Sequence, residues 1–176
     1  MLCPGCQSDV VGKITTKKEN IRIRGEKINV TCQTRVCNIC GSDIHDAELR
    51  EKNIKNAENV YRHIHSMLFP EDIALIRKSY GLSQRLFSVV IGFGVKTIMR
   101  YERGALPDEA HNNLIITLRD PKIFIDIWNR KRHLLSDGDN AKISHTLSIS
   151  IKDPNLLRYI SFGFQDRHSS KAIMSN

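Results

Sequence analysis

The sequence contains no long hydrophobic run. None of its apolar stretches approaches the roughly 20 residues that a membrane-spanning helix needs. The opening residues, Met1-Leu2-Cys3-Pro4, also lack the apolar segment of a secretory signal. We therefore expect a cytoplasmic protein with no membrane partner, in which the cysteines stay reduced.

Catalytic signatures are missing as well. The seven histidines are scattered, and no serine lies in a nucleophile-elbow motif. Gly92-Phe93-Gly94 lies between two predicted helices and not in a phosphate-binding loop. The sequence thus predicts a protein that is not an enzyme. Its formal charge of +8 favours a polyanionic or acidic partner.

Four of the five cysteines form two CxxC pairs, Cys3 with Cys6 and Cys37 with Cys40. Each pair can place two sulfurs about 2.3 Å from one ion, and the second pair closes a tetrahedral shell. A catalytic zinc would keep one position open for water, which four cysteines do not leave. We predict one structural Zn²⁺ per chain, and a small domain that needs this metal to fold.

Two further residues near the second pair are weaker candidates for ligation. Cys32 is interpreted as a small buried hydrophobe on a strand, with metal ligation as the alternative. His45 follows Cys40 by five residues and is interpreted as a surface histidine, with a spare-ligand role as the alternative.

Strand-like alternation fills the segment between the cysteine pairs. Residues 20–24 alternate strictly, and residues 28–32 do so again after a turn at Gly25-Glu26. Short antiparallel strands with metal knuckles at one end describe a zinc ribbon, which we place at residues 1–45. The alternation puts Arg22 and Arg24 on the solvent face.

After Gly41 the apolar period becomes helical. Asp43 and Asp46 can cap a helix start, and an apolar stripe follows that includes Ala47, Ile54, Ala57, Tyr61, Ile64 and Leu68. We predict a linker helix within residues 46–69. It ends at Phe69-Pro70, because proline disfavours helical geometry in the residue before it.

Residues 70–135 carry the signals of a helix-turn-helix. A first helix ends at Gly81, Ser83 caps a second, and Gly92 and Gly94 form the turn before a third. The third helix, from Val95 until Gly104, is predicted to be the recognition helix.

Specific DNA contacts follow from this register. Gln84, in the first turn of the second helix, is placed to touch a phosphate. Val95, Ile98 and Tyr101 are spaced three apart and are expected in the core. The outward residues of the recognition helix are Lys96, Thr97, Arg100 and Arg103, and we expect them to contact double-stranded DNA. Glu102 is expected to pair with an arginine.

Two more helices and a tail complete the chain, and Asp108 begins the fourth helix. The fifth helix of this domain, from Pro121 to about Leu134, has a wide apolar stripe that favours a homodimer with two recognition helices on a palindromic site. The C-terminal extension, residues 136–176, has no assigned role. We expect a loop at 136–140, a strand from His145 to Ile151, a short helix from Pro154 and a disordered end.

The combination of these motifs resembles a known family. Gly81-Leu82-Ser83-Gln84 and the segment Arg100 to Gly104 are similar to the Xre/Cro-type helix-turn-helix. Coupled to the N-terminal cysteine pairs, this resembles the MqsA (YgiT-type zinc finger) antitoxins over roughly residues 1–135. Lys96 departs from the family pattern, which often has asparagine there, so the resemblance does not supply the operator sequence.

The resemblance implies an α+β protein of two domains, with a zinc ribbon before an all-α helix-turn-helix bundle. It implies an antitoxin whose ribbon binds a cognate toxin, commonly a ribonuclease, and whose C-terminal domain dimerises and represses its own operon. It also assigns the four paired cysteines to zinc and Arg100 to a base contact. The alternatives are a transcriptional regulator without a toxin partner and, more remotely, a zinc-ribbon subunit of a nucleic-acid enzyme.

Overall fold

A computed structural model describes the backbone of residues 1–150, and the chain divides into two compact units at Ser66/Met67. The division lies three residues before the predicted break at Phe69-Pro70. Within the described residues, no helix is long and apolar enough to cross a membrane.

The first unit is built on a three-stranded antiparallel sheet in the order β1-β2-β3. The strands are β1 (Gly12–Ile23), β2 (Glu26–Cys37) and β3 (Asp43–Ile44). Arg24 and Gly25, with φ of 50° and 87°, form the two-residue turn that joins β1 to β2. The strand β3 was not expected from the sequence, because two residues carry no periodic signal.

Helix α1 (Ala47–Ile64) packs against β2. Asp46 caps it as predicted, accepting a hydrogen bond from the Leu49 amide at 3.1 Å. The predicted apolar stripe is partly wrong: Ala57 is buried, but Ile54 and Ile64 are 37% and 57% exposed. The helix lies within the first unit and contacts the strands of the ribbon.

The second unit is helical throughout its described part. Its helices are α2 (Pro70–Ser79), α3 (Gln84–Ile91), α4 (Thr97–Glu102), α5 (Glu109–Thr117), α6 (Pro121–Lys131) and α7 (Asp137–Ser150), with a 3₁₀ turn at Arg132–Leu134. Ser83 and Asp108 cap α3 and α5 through their side-chain oxygens, as their sequence positions predict. Gly92 ends α3 in the left-handed conformation, with φ of 82°.

One apolar core joins these helices. Tyr80 stacks on Phe124 with ring centroids 3.9 Å apart, and Phe87 and Ile98 are fully buried beside them. The α6 stripe belongs to this same core: Phe124 and Trp128 are buried, and Ile123 is partly buried. The stripe therefore contributes to the core of its own unit, and the homodimer that it favours in the sequence stays a prediction.

The structure corrects the prediction for the start of the C-terminal extension. Residues 137–150 form α7, where a loop and then a strand were expected. Ile143 and Leu147 lie four apart on this helix and are buried in the core of the second unit. The predicted helix from Pro154 and the disordered end lie outside the described residues.

Candidate metal centre and nucleic-acid interface

The four predicted ligand sulfurs converge at one end of the ribbon. Cys3 Sγ lies 3.5 Å from Cys40 Sγ, and Cys6 Sγ lies 3.8 Å from Cys37 Sγ. All four sulfurs lie within 4.8 Å of one another. A tetrahedral ion with bonds of about 2.3 Å requires sulfurs about 3.8 Å apart, so the donor set fits a bound metal ion.

Two similar turns position the sulfurs. The Gln7 amide donates to Cys3 O at 2.9 Å, and the Gly41 amide donates to Cys37 O at 3.0 Å. Gln7 and Gly41 occupy equivalent positions and both have positive φ, 53° and 74°. Because each turn wraps around its own cysteine pair, the two knuckles aim their sulfurs at the same point.

Backbone amides also point at the sulfurs. The Cys6 amide donates to Cys3 Sγ at 3.4 Å, and the Ile39 amide donates to Cys37 Sγ at 3.3 Å. Such bonds favour the thiolate, which is the form that binds a metal. They make the knuckles suited to four negatively charged ligands around one cation.

Thiol acidities differ across the cluster. A hydrogen bond with the Ser42 side chain is the main cause that lowers the pKa of Cys40 to about 6. Hydrogen bonding with Cys40, followed by burial, raises the pKa of Cys6 to about 12. A cation is required to hold all four groups as thiolates together, because their charges repel one another.

The two spare candidates lie outside the cluster. Cys32 is fully buried on β2, as the interpretation as a small hydrophobe predicts. His45 is exposed and does not belong to the four-residue group.

The second candidate site is the helix-turn-helix formed by α3 and α4. An ionic network holds these helices to α2. Arg77 donates to both carboxylate oxygens of Glu102 at 2.6 and 3.0 Å, and Gln84 Nε2 donates to Glu102 Oε2 at 2.6 Å. Glu102 is the partner of an arginine, as expected. Sequence reasoning missed the bond that ties the Gln84 amide nitrogen to this network.

Three of the predicted contact residues form a cationic face around α4. Lys96, Arg100 and Arg103 are exposed and follow one another at intervals of four and three residues, which places them on one side of a helix. Thr97 begins α4 and is half-buried. The opposite side faces the core through Ile98 and Tyr101.

Val95 departs from its prediction. It is 52% exposed, because α4 begins only at Thr97 and residue 95 belongs to the preceding turn. The helical spacing used for the prediction therefore does not extend to it. A cation from α6 also lies near this turn, since a Cβ added at Gly92 would clash with Lys131 Nζ. No sequence signal connects residue 131 to this position.

Both candidate sites lie within one match to a known family. The family model described as the antitoxin component of a bacterial toxin-antitoxin system, MqsA, matches residues 1–125. The chain belongs to this family. The match begins before the first cysteine pair and extends through α5 into α6, so it includes both candidate sites. The MqsA-type match ends before α7. A comparison with curated proteins finds no match.

Proposed function

We propose that the protein neutralises a cognate toxin with its first unit and represses its own operon with its second. The observation that carries this proposal is the single family match over residues 1–125, which spans the four-cysteine cluster and the helix-turn-helix together. Either motif alone would be compatible with many regulators.

The metal in this proposal is one structural Zn²⁺ held by the four clustered cysteines. Four sulfur donors at tetrahedral spacing match zinc better than a hard cation, which prefers oxygen ligands. With four protein ligands the ion has no position for water, so its contribution is to hold the two knuckles together. The cysteine backbone and side-chain bonds described above orient the sulfurs for that role.

Toxin capture is assigned to the first unit, and the toxin is proposed to be a ribonuclease by family resemblance. DNA binding is assigned to the cationic face of α4. Arg100 is proposed to read a base, since a guanidinium pairs with guanine acceptors. Lys96 and Thr97 are proposed to contact bases or phosphates, with Arg103 and Gln84 on the phosphate backbone. A cytoplasmic location is part of the proposal, because promoter DNA is found there.

Dimerisation on a palindromic operator is part of the proposal. The recognition helix α4 has six residues, so one copy reaches few base pairs. Two copies related by a two-fold axis would present their recognition helices about one DNA turn apart. The support for dimerisation is this short reading surface together with the family resemblance. The α6 stripe adds little, because Phe124 and Trp128 are buried in their own unit.

The decisive experiment uses the full chain and the product of the small reading frame next to its gene. We expect the chain to rescue cells that express this product, to co-purify with it and to protect an inverted repeat in the shared promoter. Fragments 1–66 and 67–176, divided where the two compact units meet, should retain rescue and operator binding respectively, because Leu68 belongs to the core of the second unit.

Failure of rescue by a metal-loaded, folded full chain would favour a regulator without a toxin partner. If the chain rescues the cells but does not bind the promoter, the antitoxin role stands and the repressor role is refuted.

A further inference from the structure

The two edges of the ribbon sheet differ in how they are covered. Asn53 on α1 accepts a hydrogen bond from the Gln33 amide at 2.9 Å and donates one to Gln33 O at 2.8 Å. Asn56 donates to Thr31 O at 3.5 Å. Helix α1 therefore covers the part of the outer edge of β2 that does not pair with β3. The strand β1 forms the opposite edge, and no described strand pairs with its outer side.

The register shows which backbone groups β1 presents at this edge. Gln33 lies opposite Thr16, yet its amide and carbonyl point away from β1 toward Asn53. This pair is thus of the class that does not exchange hydrogen bonds, and the two classes alternate along an antiparallel ladder. Lys18 and Asn20 belong to the same class. Their N–H and C=O groups point outward, available to another strand.

A groove runs beside this edge. It has a volume of about 540 Å³ and lies between one face of β1 and helix α1. Ile21, Leu49 and Ile54 contribute apolar lining, and Ile54 is 37% exposed. A strand added to β1 would direct every second side chain to this face of the sheet. An open edge beside a pocket is the arrangement that binds extended peptides by strand addition.

Charge at the groove favours an acidic occupant. Glu19, Asp43 and Asp46 also line the groove, but each is paired with a cation there, the first two with Lys17. Arg22 and Arg50 lie at the groove as well, and among the described residues no carboxylate forms an ion pair with either. In contrast, Arg35 is paired with Asp46 at 2.8 Å. A carboxylate on an incoming strand would meet guanidinium groups that have no carboxylate partner, although Arg22 Nη1 donates to Gly25 O at 3.3 Å.

We propose that this groove and the outer edge of β1 bind an extended acidic segment of the cognate toxin. The inference rests on the proposed antitoxin function and specifies where and how the toxin docks. A second copy of the chain is a poorer occupant. The strand β1 carries four cations, Lys13, Lys17, Lys18 and Arg22, against one carboxylate, Glu19, so two such edges would bring like charges together.

The test measures toxin affinity of the full chain with substitutions at the edge. Lys18→Pro removes the outward N–H and leaves the β1–β2 ladder bonds in place, because proline is tolerated on edge strands. Lys18→Ala removes the same charge and keeps the N–H. We expect toxin binding to weaken about tenfold or more for Lys18→Pro and by less than about threefold for Lys18→Ala.

A second pair of variants tests the groove independently of strand geometry. Arg50→Glu reverses one of the two guanidinium charges, and Lys52→Glu makes the same change at an exposed position of α1 outside the groove. We expect a loss of about tenfold or more for the first and less than about threefold for the second. Metal content and thermal unfolding should match the parent in all four variants.

Three outcomes would overturn the inference, and they differ in what else they remove. If the parent chain does not bind the product of the adjacent reading frame, the proposed function fails together with the docking site. If the parent binds but Lys18→Pro and Arg50→Glu bind within threefold of it, only the docking site fails. If Lys18→Pro abolishes self-association and leaves toxin binding unchanged, the edge is a contact between copies.

Discussion

Arg77 on α2 and Glu102 on α4 form a bidentate ion pair in which the two side chains are only 11% and 8% exposed. A third bond runs from Arg77 Nη1 to Leu82 O at 2.6 Å. Because α4 is so short, this pair fixes the helix from its C-terminal end. Glu102 therefore serves as an internal anchor, in agreement with the predicted pairing with an arginine.

The first prediction concerns this pair. Glu102→Ala would leave the Arg77 guanidinium buried without its counter-charge, which costs about 3–5 kcal/mol of the unfolding free energy of the second unit. Denaturant unfolding checks it, with Lys78→Ala on the exposed side of α2 as the control. Replacing both partners with apolar residues should recover much of the loss. A loss under about 1 kcal/mol for Glu102→Ala would contradict the anchoring role.

The second prediction concerns the metal. Cys37→Ser removes one of four ligands, and a structural zinc site contributes roughly 10 kcal/mol or more to folding. We expect metal content to fall well below one equivalent and the first unit to unfold, while the second unit keeps its helices. Cys32→Ala is the matched control, because this buried cysteine lies outside the cluster. A full equivalent of metal in Cys37→Ser would show that the ligand set is wrong.

A third prediction concerns operator recognition. Arg100→Ala should cost about 1–3 kcal/mol on the promoter site and relax discrimination at one base pair, whereas Lys96→Ala at a phosphate would lower affinity evenly and reduce the salt slope by about one. Titration of promoter DNA across salt concentrations separates the two effects. Lys122→Ala, exposed on α6, serves as the control. Unchanged affinity and selectivity in Arg100→Ala would refute the assigned face.

Helix α7 supplies the fourth prediction. Ile143 is fully buried in the core of the second unit although it lies beyond the family match. Ile143→Ala should therefore lower the unfolding free energy by about 2–5 kcal/mol. Ser144→Ala, at an exposed neighbour, should change it by less than about 0.5 kcal/mol. Both are followed through Trp128 fluorescence, since Trp128 Nε1 donates to Oδ1 of Asn140 on α7 at 2.9 Å. Equal stability of the two variants would mean that α7 does not close this core.

The fifth prediction concerns pH. Asp108 caps α5 by accepting a hydrogen bond from the His111 amide at 2.8 Å, and this bond is the main cause that lowers the pKa of Asp108. Its contribution to stability is therefore present above the ordinary carboxyl pKa and is lost as the pH falls through the lowered value. Asp108→Asn keeps a cap without this titration. Unfolding at pH 6 and pH 3 should show a smaller acid loss in the variant, and equal acid losses would contradict it.

Local signals in the sequence were sufficient for several features. The two CxxC spacings identified the residues that form the metal cluster, because each knuckle is closed by bonds within a few residues. The capping positions of Ser83, Asp46 and Asp108 were confirmed for the same reason, since an N-cap bonds an amide only three residues away. The family resemblance was confirmed by the match over residues 1–125.

Non-local packing decided what the sequence left open or wrong. The segment around His145 to Ile151 alternates like a strand, yet as far as Ser150 it is helical, because Ile143 and Leu147 reach the core only at helical spacing. Val95 was expected inside, and the late start of α4 placed it outside. The apolar stripe of α6 also did not show which helices pack against it, and α7 contributes to the same core.

By itself, the sequence determined which four cysteines cluster, the helix caps and the family of this protein, all of which depend on short spacings along the chain. Only the tertiary structure decided that Asn53 covers the edge of β2, that the edge of β1 stays open, and that Arg77 is the arginine that pairs with Glu102. Two of these features join residues about 20 or more positions apart. The third is the absence of a strand paired with the outer side of β1 among the described residues. The stability of such features depends on which distant surfaces pack together, and a local sequence pattern does not contain that information.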